Sequence, residues 1–310
     1  MTTVSDGLFQ FGGVPVGTSL GTSKIFSTPT KGRAWFVDPT NGSNVDGKTP
    51  KKAFTTMAQA FAVIKSGDII YFVGKVQEQL VTPVNVFDVT VVGCGNSPRH
   101  ADSAPVGGNT ATAQWGAPST GTAAQATVRV LQQGWRFINI LFTAIDTNAA
   151  CIELVRDSGS GDDERDASHA QILGCRFSGA GKGIRAGATS YVEVVNHVKV
   201  EGCRFDTMTY GIHTAIICNY WTIKGNEFRD NTNHIVADVG YAFIYENIFG
   251  KFTTDSIELP GSSIGYNVIT KNYLSGTYSS AGGYTVSDAT DEWAGNFNGL
   301  AGGITVSDPA

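Results

Sequence analysis

One degenerate phrase returns along the chain and limits what it can fold into: an apolar residue, a spacer, a small or amide residue, another spacer, then an aromatic or aliphatic. It reads Ile172-Leu173-Gly174-Cys175-Arg176-Phe177, Val200-Glu201-Gly202-Cys203-Arg204-Phe205 and Ile223-Lys224-Gly225-Asn226-Glu227-Phe228. It continues as Ile244-Tyr245-Glu246-Asn247-Ile248-Phe249 and, more loosely, as Ile264-Gly265-Tyr266-Asn267-Val268-Ile269. The Cys/Asn positions are 28, 23, 21 and 20 residues apart. Periods of this length mark a solenoid, and the apolar/polar alternation inside each phrase marks strand rather than helix. A single phrase is too short to bury its own apolar face, so each copy must stack on the one before it.

Residues two apart in a strand point the same way, so Ile223 and Phe228, five apart, cannot both face inward along one straight strand. A corner near Gly225-Asn226 resolves the conflict, because Gly and Asn tolerate left-handed backbone at low cost. Cys175, Cys203, Asn226, Asn247 and Asn267 then form an expected inward ladder at that corner, with amides bonded rung to rung. Phe177, Phe205, Phe228 and Phe249 form an expected internal stack. A second signal follows: Ile184, Ile212 and Ile235 each come seven residues after a Phe, and Ile257 comes eight after Phe249. Two correlated strand signals per turn, with Gly/Asn/Asp-rich joins, predict an all-β chain, a right-handed parallel β-helix. Eight to ten coils at ~4.8 Å would make a rod roughly 40–50 Å tall.

With 310 residues, 41% of them hydrophobic, the chain has ample material for one large core. A net charge of −5 argues against a nucleic-acid-binding face. No apolar run is long enough for a bilayer, and Met1–Asp6 has neither a basic start nor an apolar core, so membrane insertion and general secretion are not expected. Cys94, Cys151, Cys175, Cys203 and Cys218 lack CxxC spacing and read as buried thiols of a reducing compartment.

Residues 1–33 are Gly- and Thr-rich with little periodicity, and read as an extended attachment arm anchored by Phe9, Phe11, Val14 and Val16. Residues 34–275 read as the β-helix. Within it, Phe54, Met57, Phe61 and Ile64 fall at helical spacing and predict a capping helix over about 52–65. Residues 96–126, rich in Gly, Pro, Ala and Thr with a lone Trp115, read as a long loop interrupting the coils. Residues 276–310 carry Gly282-Gly283-Tyr284-Thr285-Val286-Ser287-Asp288 and its echo Gly302-Gly303-Ile304-Thr305-Val306-Ser307-Asp308, and read as a capping or trimerisation element.

Trp35-Phe36-Val37-Asp38-Pro39, then Asn41-Gly42, Asp46-Gly47, the helix and Gly67-Asp68-Ile69-Ile70, resemble the opening of the pectate-lyase-like β-helix superfamily. With the Gly-rich start and Asp291-Glu292-Trp293-Ala294-Gly295-Asn296, the chain most resembles virion proteins of tailed bacteriophages: tailspikes, appendages and head-surface spikes. The resemblance implies a homotrimer of side-by-side β-helices on the virion surface, assembled in the bacterial cytoplasm. Other virion proteins would hold it through the arm, and a host-surface polysaccharide is a candidate ligand.

Candidate chemistry is sparse. Asp157, Asp162, Asp163, Glu164 and Asp166 form the densest acidic cluster, but Gly-Ser flanks and interleaved Arg fit a solvated turn and the EF-hand spacing is missing. Pectate lyases use calcium-binding Asp residues with a basic Arg, and no positions here match that set. Glu153, Asp206 and Asp230 lie near strand ends, where a β-helix hydrolase would stack its carboxylates. His169, His197, His213 and His234 have no close metal-ligand spacing, so neither metal nor cofactor is expected. Tyr191, Tyr210, Tyr220, Trp221, Tyr241 and Tyr245 could stack on sugars or line a trimer interface. Two functions therefore stand: a structural, receptor-binding spike with no catalytic residue, or a polysaccharide depolymerase that uses Glu153, Asp206 and Asp230.

Overall fold

The computed structural model describes residues 9–11, 14–16, 32–98, 112–122, 124–157, 165–179, 181–187, 193–260, 265–274, 284–285, 290–300 and 303–306. One coil shows the plan. Lys199–Glu201 lies in a first sheet, Arg204–Asp206 in a second and Tyr210–Thr214 in a third, and the chain then returns to the first sheet at Thr222–Lys224. Each strand pairs in parallel with its counterpart one coil on: Val200 with Ile223, Phe205 with Phe228, Ile212 with Ile235. Among the described residues the three sheets hold ten, ten and eight strands. The chain is thus an all-β, right-handed parallel β-helix.

Its core is made of the phrase residues. Val91, Phe137, Ile172, Val200, Ile223, Ile244 and Ile269 line the first sheet, and Val128, Ile152, Ile184, Ile212, Ile235 and Ile257 the third; all are buried. On the second sheet Phe177, Phe205, Phe228 and Phe249 stack with centroids 4.7, 4.7 and 5.0 Å apart, continuing from Phe142 at 5.4 Å. The corner between first and second sheets is left-handed at Gly174, Gly202 and Gly225, with φ between 59° and 63°. A Cβ at Gly174 or Gly225 would meet nothing within 4 Å, so glycine serves the backbone angle there and not a tight fit. Glu246 and Lys271 take the same angle without that ease.

Behind this corner Cys175, Cys203, Asn226 and Asn247 lie buried on successive coils. Asn226 Oδ1 accepts from the Cys203 backbone N–H at 2.8 Å, and Asn247 Oδ1 from that of Asn226 at 2.9 Å. The next rungs are Asn272 and Asn296, at 3.0 Å each. Asn267 is not a rung. Its amide accepts from Ala242 N–H and donates to the Val239 carbonyl, both at 2.8 Å, at the corner leading into the first sheet. Ile269, not Ile264, pairs with Ile244, so the phrase belongs five residues later, at Ile269-Thr270-Lys271-Asn272.

Four further expectations meet a different arrangement. The helix is Met57–Phe61, shorter than 52–65, because Thr56 caps it in extended backbone and Pro50–Lys52 forms a separate 3-10 turn. The Glu78 carboxylate accepts from the Met57 and Ala58 N–H groups, which suits the positive end of the helix, and Phe61 packs on Trp115 and Trp135. Within 96–126, Gln114–Gly116 is a full rung of the second sheet, paired with Lys75–Gln77 and Leu141–Thr143, and Trp115 is buried in the core. Coils also continue past 275: Tyr284–Thr285 joins the third sheet and Glu292–Ala294 the first. Phe297–Leu300 extends the second sheet before Gly303–Val306 turns back antiparallel and ends it. Near the start, Phe9–Phe11 and Val14–Val16 form an antiparallel pair where an extended arm was expected; the side chains of Phe9, Phe11, Val14 and Val16 lie outside the described residues.

His234 belongs to this core. It is buried against the rings of Phe228 and Phe249, with Nδ1 3.0 Å from the Asn231 amide and Nε2 3.2 Å from the Gly250 carbonyl. Burial pulls its pKa down to about 4. The unfolded chain takes up this proton first, so stability should fall as pH drops from ~6.5 to ~4, by roughly 3 kcal/mol. Urea midpoints for wild type and His234→Gln across this range test it. The variant should show a flatter profile, and parallel profiles would refute the assignment.

Candidate functional site

The three carboxylates a hydrolase would need stand in three different places. Glu153 is on the outward face of the third sheet, where the register sets Arg129 and Arg185 on its two sides. It is fully buried; its Oε2 accepts from Arg129 Nε and its Oε1 from an Arg185 terminal nitrogen. Asp206 is on the outward face of the second sheet, between Arg176 Nε at 2.7 Å and Arg204 Nε at 2.8 Å, all three buried. Asp230 follows the second sheet at a left-handed corner (φ 53°), paired with Arg229 at 3.7 Å beside a 280 Å³ pocket that includes Glu227, Ile248 and Lys251. Glycoside hydrolysis needs two carboxyl groups flanking one bond. Here two are clamped by arginines, each oxygen already accepting a charge-assisted bond, and the third is on a turn.

The most ordered feature of the surface is a column of rings. His169, His197, Tyr220, Tyr241 and Tyr266 stack on successive coils, with centroids 4.8, 4.7, 5.3 and 5.5 Å apart and planes within 18° of parallel. All five adopt left-handed backbone, φ 54° to 62°, at the corner entering the first sheet. Non-glycine residues there cost of order 1 kcal/mol or more each, which ring stacking offsets in part. The tyrosines are 48%, 41% and 58% exposed, and Phe243 beside them is 52% exposed. The ring spacing follows the strand spacing, so the planes lie across the rod and their edges and hydroxyls face solvent. Ring faces inside the column are already covered; Phe243, two residues after Tyr241, adds apolar surface.

The other candidates separate from this column. Trp221 is interior, donating from Nε1 to the Val195 carbonyl at 2.9 Å. Tyr245 lies under the Lys224 ammonium, 5.1 Å away, and Tyr210 sits with His213 on the third sheet. Tyr191 and Asp162, Asp163 and Glu164 of the acidic cluster lie outside the described residues. The sequence does carry a signal for the column. His169, His197, Tyr220, Tyr241 and Tyr266 each stand six residues before a rung of the Cys/Asn ladder, 175, 203, 226, 247 and 272.

Metal binding finds no support in this arrangement. Among the described residues no three His, Cys, Asp or Glu side chains gather at one point. None of the five cysteines is in a disulfide, and all are buried. Burial pushes the thiols of Cys94 and Cys218 up to about 12 and raises that of Cys151 further, which disfavours the thiolate a metal needs.

Residues 145–296 match the family model described as periplasmic copper-binding protein (NosD). The copper in that description has no fitting ligand set among the described residues, for the reasons just given. No curated protein matches the chain. Among solved structures, pectin methylesterase from carrot is similar at 14% identity over 89% of this chain and 85% of that one, TM-score 0.49. Pectate lyase Pel9A is similar at 11% identity over 85% and 79%, TM-score 0.42. The GH136 lacto-N-biosidase from Eubacterium ramulus is similar at 9% identity and TM-score 0.50, over 86% of this chain and 56% of that one. At such identities the likeness is one of fold alone, and it agrees with the sheets described above: the chain is a right-handed parallel β-helix.

Proposed function

We propose that this chain is a structural rod on the surface of a tailed-phage particle, a homotrimeric spike or decoration that contacts a host-surface glycan without cleaving it. The observation that carries the reading is the exposed column from His169 to Tyr266, kept in costly backbone over five coils, while two of the three candidate catalytic carboxylates, Glu153 and Asp206, are locked in ion pairs. A row of outward hydroxyls and ring edges, beside the free surface of Phe243, suits a polymer lying along the rod. The virion assignment draws on the resemblance to phage spikes of the opening motif taken together with the Gly-rich start and Asp291-Glu292-Trp293-Ala294-Gly295-Asn296, and the N-terminal arm is its attachment point.

The test is to mix purified protein with the surface polysaccharide of the host. Binding with an unchanged polymer size profile and no new reducing ends is expected, with Tyr241→Ala plus Tyr266→Ala weakening binding about tenfold, or ~1.4 kcal/mol. Shortening of the polymer would overturn the reading in favour of a depolymerase on the same scaffold. Light scattering should give three times 32.7 kDa, and a stable monomer would remove the trimer.

A further inference from the structure

One lysine on the rungs is set differently from its fellows. Lys199 lies 2.5 Å from the Glu201 carboxylate, and Lys224 lies 3.9 Å from both Glu201 and Glu246. Among the described residues Lys182 forms no ion pair, because Glu153, the acidic residue of the strand beside it, is held by Arg129 and Arg185. The side chain is half-buried, with its nitrogen 5.4 Å from the centre of the Tyr210 ring. That ring is 4.7 Å from the His213 imidazole, and the register sets His213 beside Arg185. Two buried atoms of this cluster, Arg185 Nε and His213 Nδ1, have no hydrogen-bond partner among the described residues, although buried polar groups are normally satisfied.

We propose that Lys182 is a covalent modification site, an amine that condenses with the carbonyl group of a small 2-oxo acid whose carboxylate is held by Arg185. A lysine becomes a nucleophile when it is desolvated or set beside another cation, and Lys182 meets both conditions. The amine nitrogen attacks the ketone carbon, and one N–H proton passes to the carbonyl oxygen. The second N–H proton leaves with that oxygen as water, and a C=N bond remains; nothing is oxidised or reduced. The unpartnered Arg185 Nε–H is the donor for the carboxylate, and the His213 ring has a donor and an acceptor nitrogen with which to carry the proton.

The titration behaviour agrees with this geometry. Burial and then Arg185 lower the Lys182 pKa, which enlarges its free-amine fraction at neutral pH. Burial, then Lys182 and Arg185, pull the His213 pKa down to about 4, so the imidazole is neutral there. The other charged groups facing Lys182 across the neighbouring strands are Glu153 and Arg129, which neutralise each other in part.

The site is separate from the aromatic column and does not depend on the virion reading. The test is to incubate the full chain at neutral pH with pyruvate and cyanoborohydride, which reduces an imine to a stable secondary amine, and to map the label by peptide mass. At least tenfold more label is expected on Lys182 than on Lys199 or Lys224. The preference should vanish as pH is raised past ~10.5, where ordinary lysines also become free amines. Acetone, which has the ketone without the carboxylate, should label Lys182 at least tenfold more slowly. His213→Gln, shown to be folded by circular dichroism, should slow the pyruvate reaction several-fold. Label spread evenly over the lysines of the wild type at neutral pH would overturn the proposal, and so would equal rates with acetone and pyruvate. A wild-type rate in His213→Gln would remove the imidazole from the chemistry.

Discussion

Replacing Glu153 by alanine is expected to destabilise the protein by about 3–5 kcal/mol. The carboxylate has no exposed surface, and both of its oxygens serve arginines from neighbouring coils, so its removal leaves two partly buried guanidiniums facing each other. Arg129 and Arg185 then repel across the gap in place of sharing a counter-charge. Glu153→Gln keeps the shape but loses the charge, and should fall between wild type and alanine. Urea denaturation of the three proteins measures this, with the slope unchanged and the midpoint falling in the order Glu, Gln, Ala. A catalytic carboxylate would behave differently, because active-site groups are held at the expense of stability and their replacement is commonly neutral or stabilising. An unchanged midpoint together with loss of a polysaccharide-cleaving activity would therefore move Glu153 from the frame of the rod to its chemistry.

The fold was legible because a solenoid writes one structural unit many times. Ile, Gly and Phe recur at fixed offsets within each phrase, and the offsets carry the corner, the inward columns and the parallel pairing. Where the copies weaken, the residue pattern alone misplaces the rung. Ile264-Gly265-Tyr266-Asn267 has the right residues five positions early, and only the register of Ile269 against Ile244 shows that Asn272 is the rung. Trp115 looked like a loop residue because its flanks are Ala, Gln, Gly and Ala, yet one buried indole between Val76 and Phe142 anchors a full rung. Spacing alone makes the helix too long because Phe54 matches it, whereas the Phe54 N–H donates to the Phe36 carbonyl and the Phe54 carbonyl accepts from the Asp38 N–H.

The surface was less legible, for a physical reason. Coils differ in length, so a residue's neighbours on adjacent rungs lie at no fixed separation. Glu153 meets Arg129 and Arg185, 24 and 32 residues away, and neither interval stands out in the sequence. A carboxylate that looks available when read alone is therefore found locked only when the coils are laid on each other. The aromatic column could have been found, since it keeps step with the ladder at a constant six residues. Sorted by residue type, its histidines and tyrosines fall into separate groups, because the backbone angle that aligns them, left-handed at five non-glycine residues, is one that sequence disfavours.

Phe205→Ala should cost about 3–5 kcal/mol, and it should also change how the rod unfolds. The Phe205 ring is completely buried, with Phe177 and Phe228 each 4.7 Å away on its two sides, so truncation opens a cavity that both neighbours line. The site is already tailored to the ring. A Cβ on Gly183 would come within 2.8 Å of Phe205, and one on Gly211 equally close to Phe228, so these two glycines leave the space that the aromatic stack fills. Backbone beside each glycine is fixed by third-sheet pairing and cannot slide in to close the gap. In a solenoid each coil is stabilised chiefly by its neighbours, so weakening one interface in the middle lowers the coupling between the two halves. Chemical denaturation of the wild type should be a single transition; that of Phe205→Ala should broaden or split, with the urea slope reduced. Phe249→Ala, nearer the end of the stack, should lose comparable stability but keep one sharp transition. If Phe205→Ala unfolds at the wild-type midpoint, the stack is a consequence of coil spacing and the cohesion of the rod must come from the Asn ladder and the sheet hydrogen bonds instead.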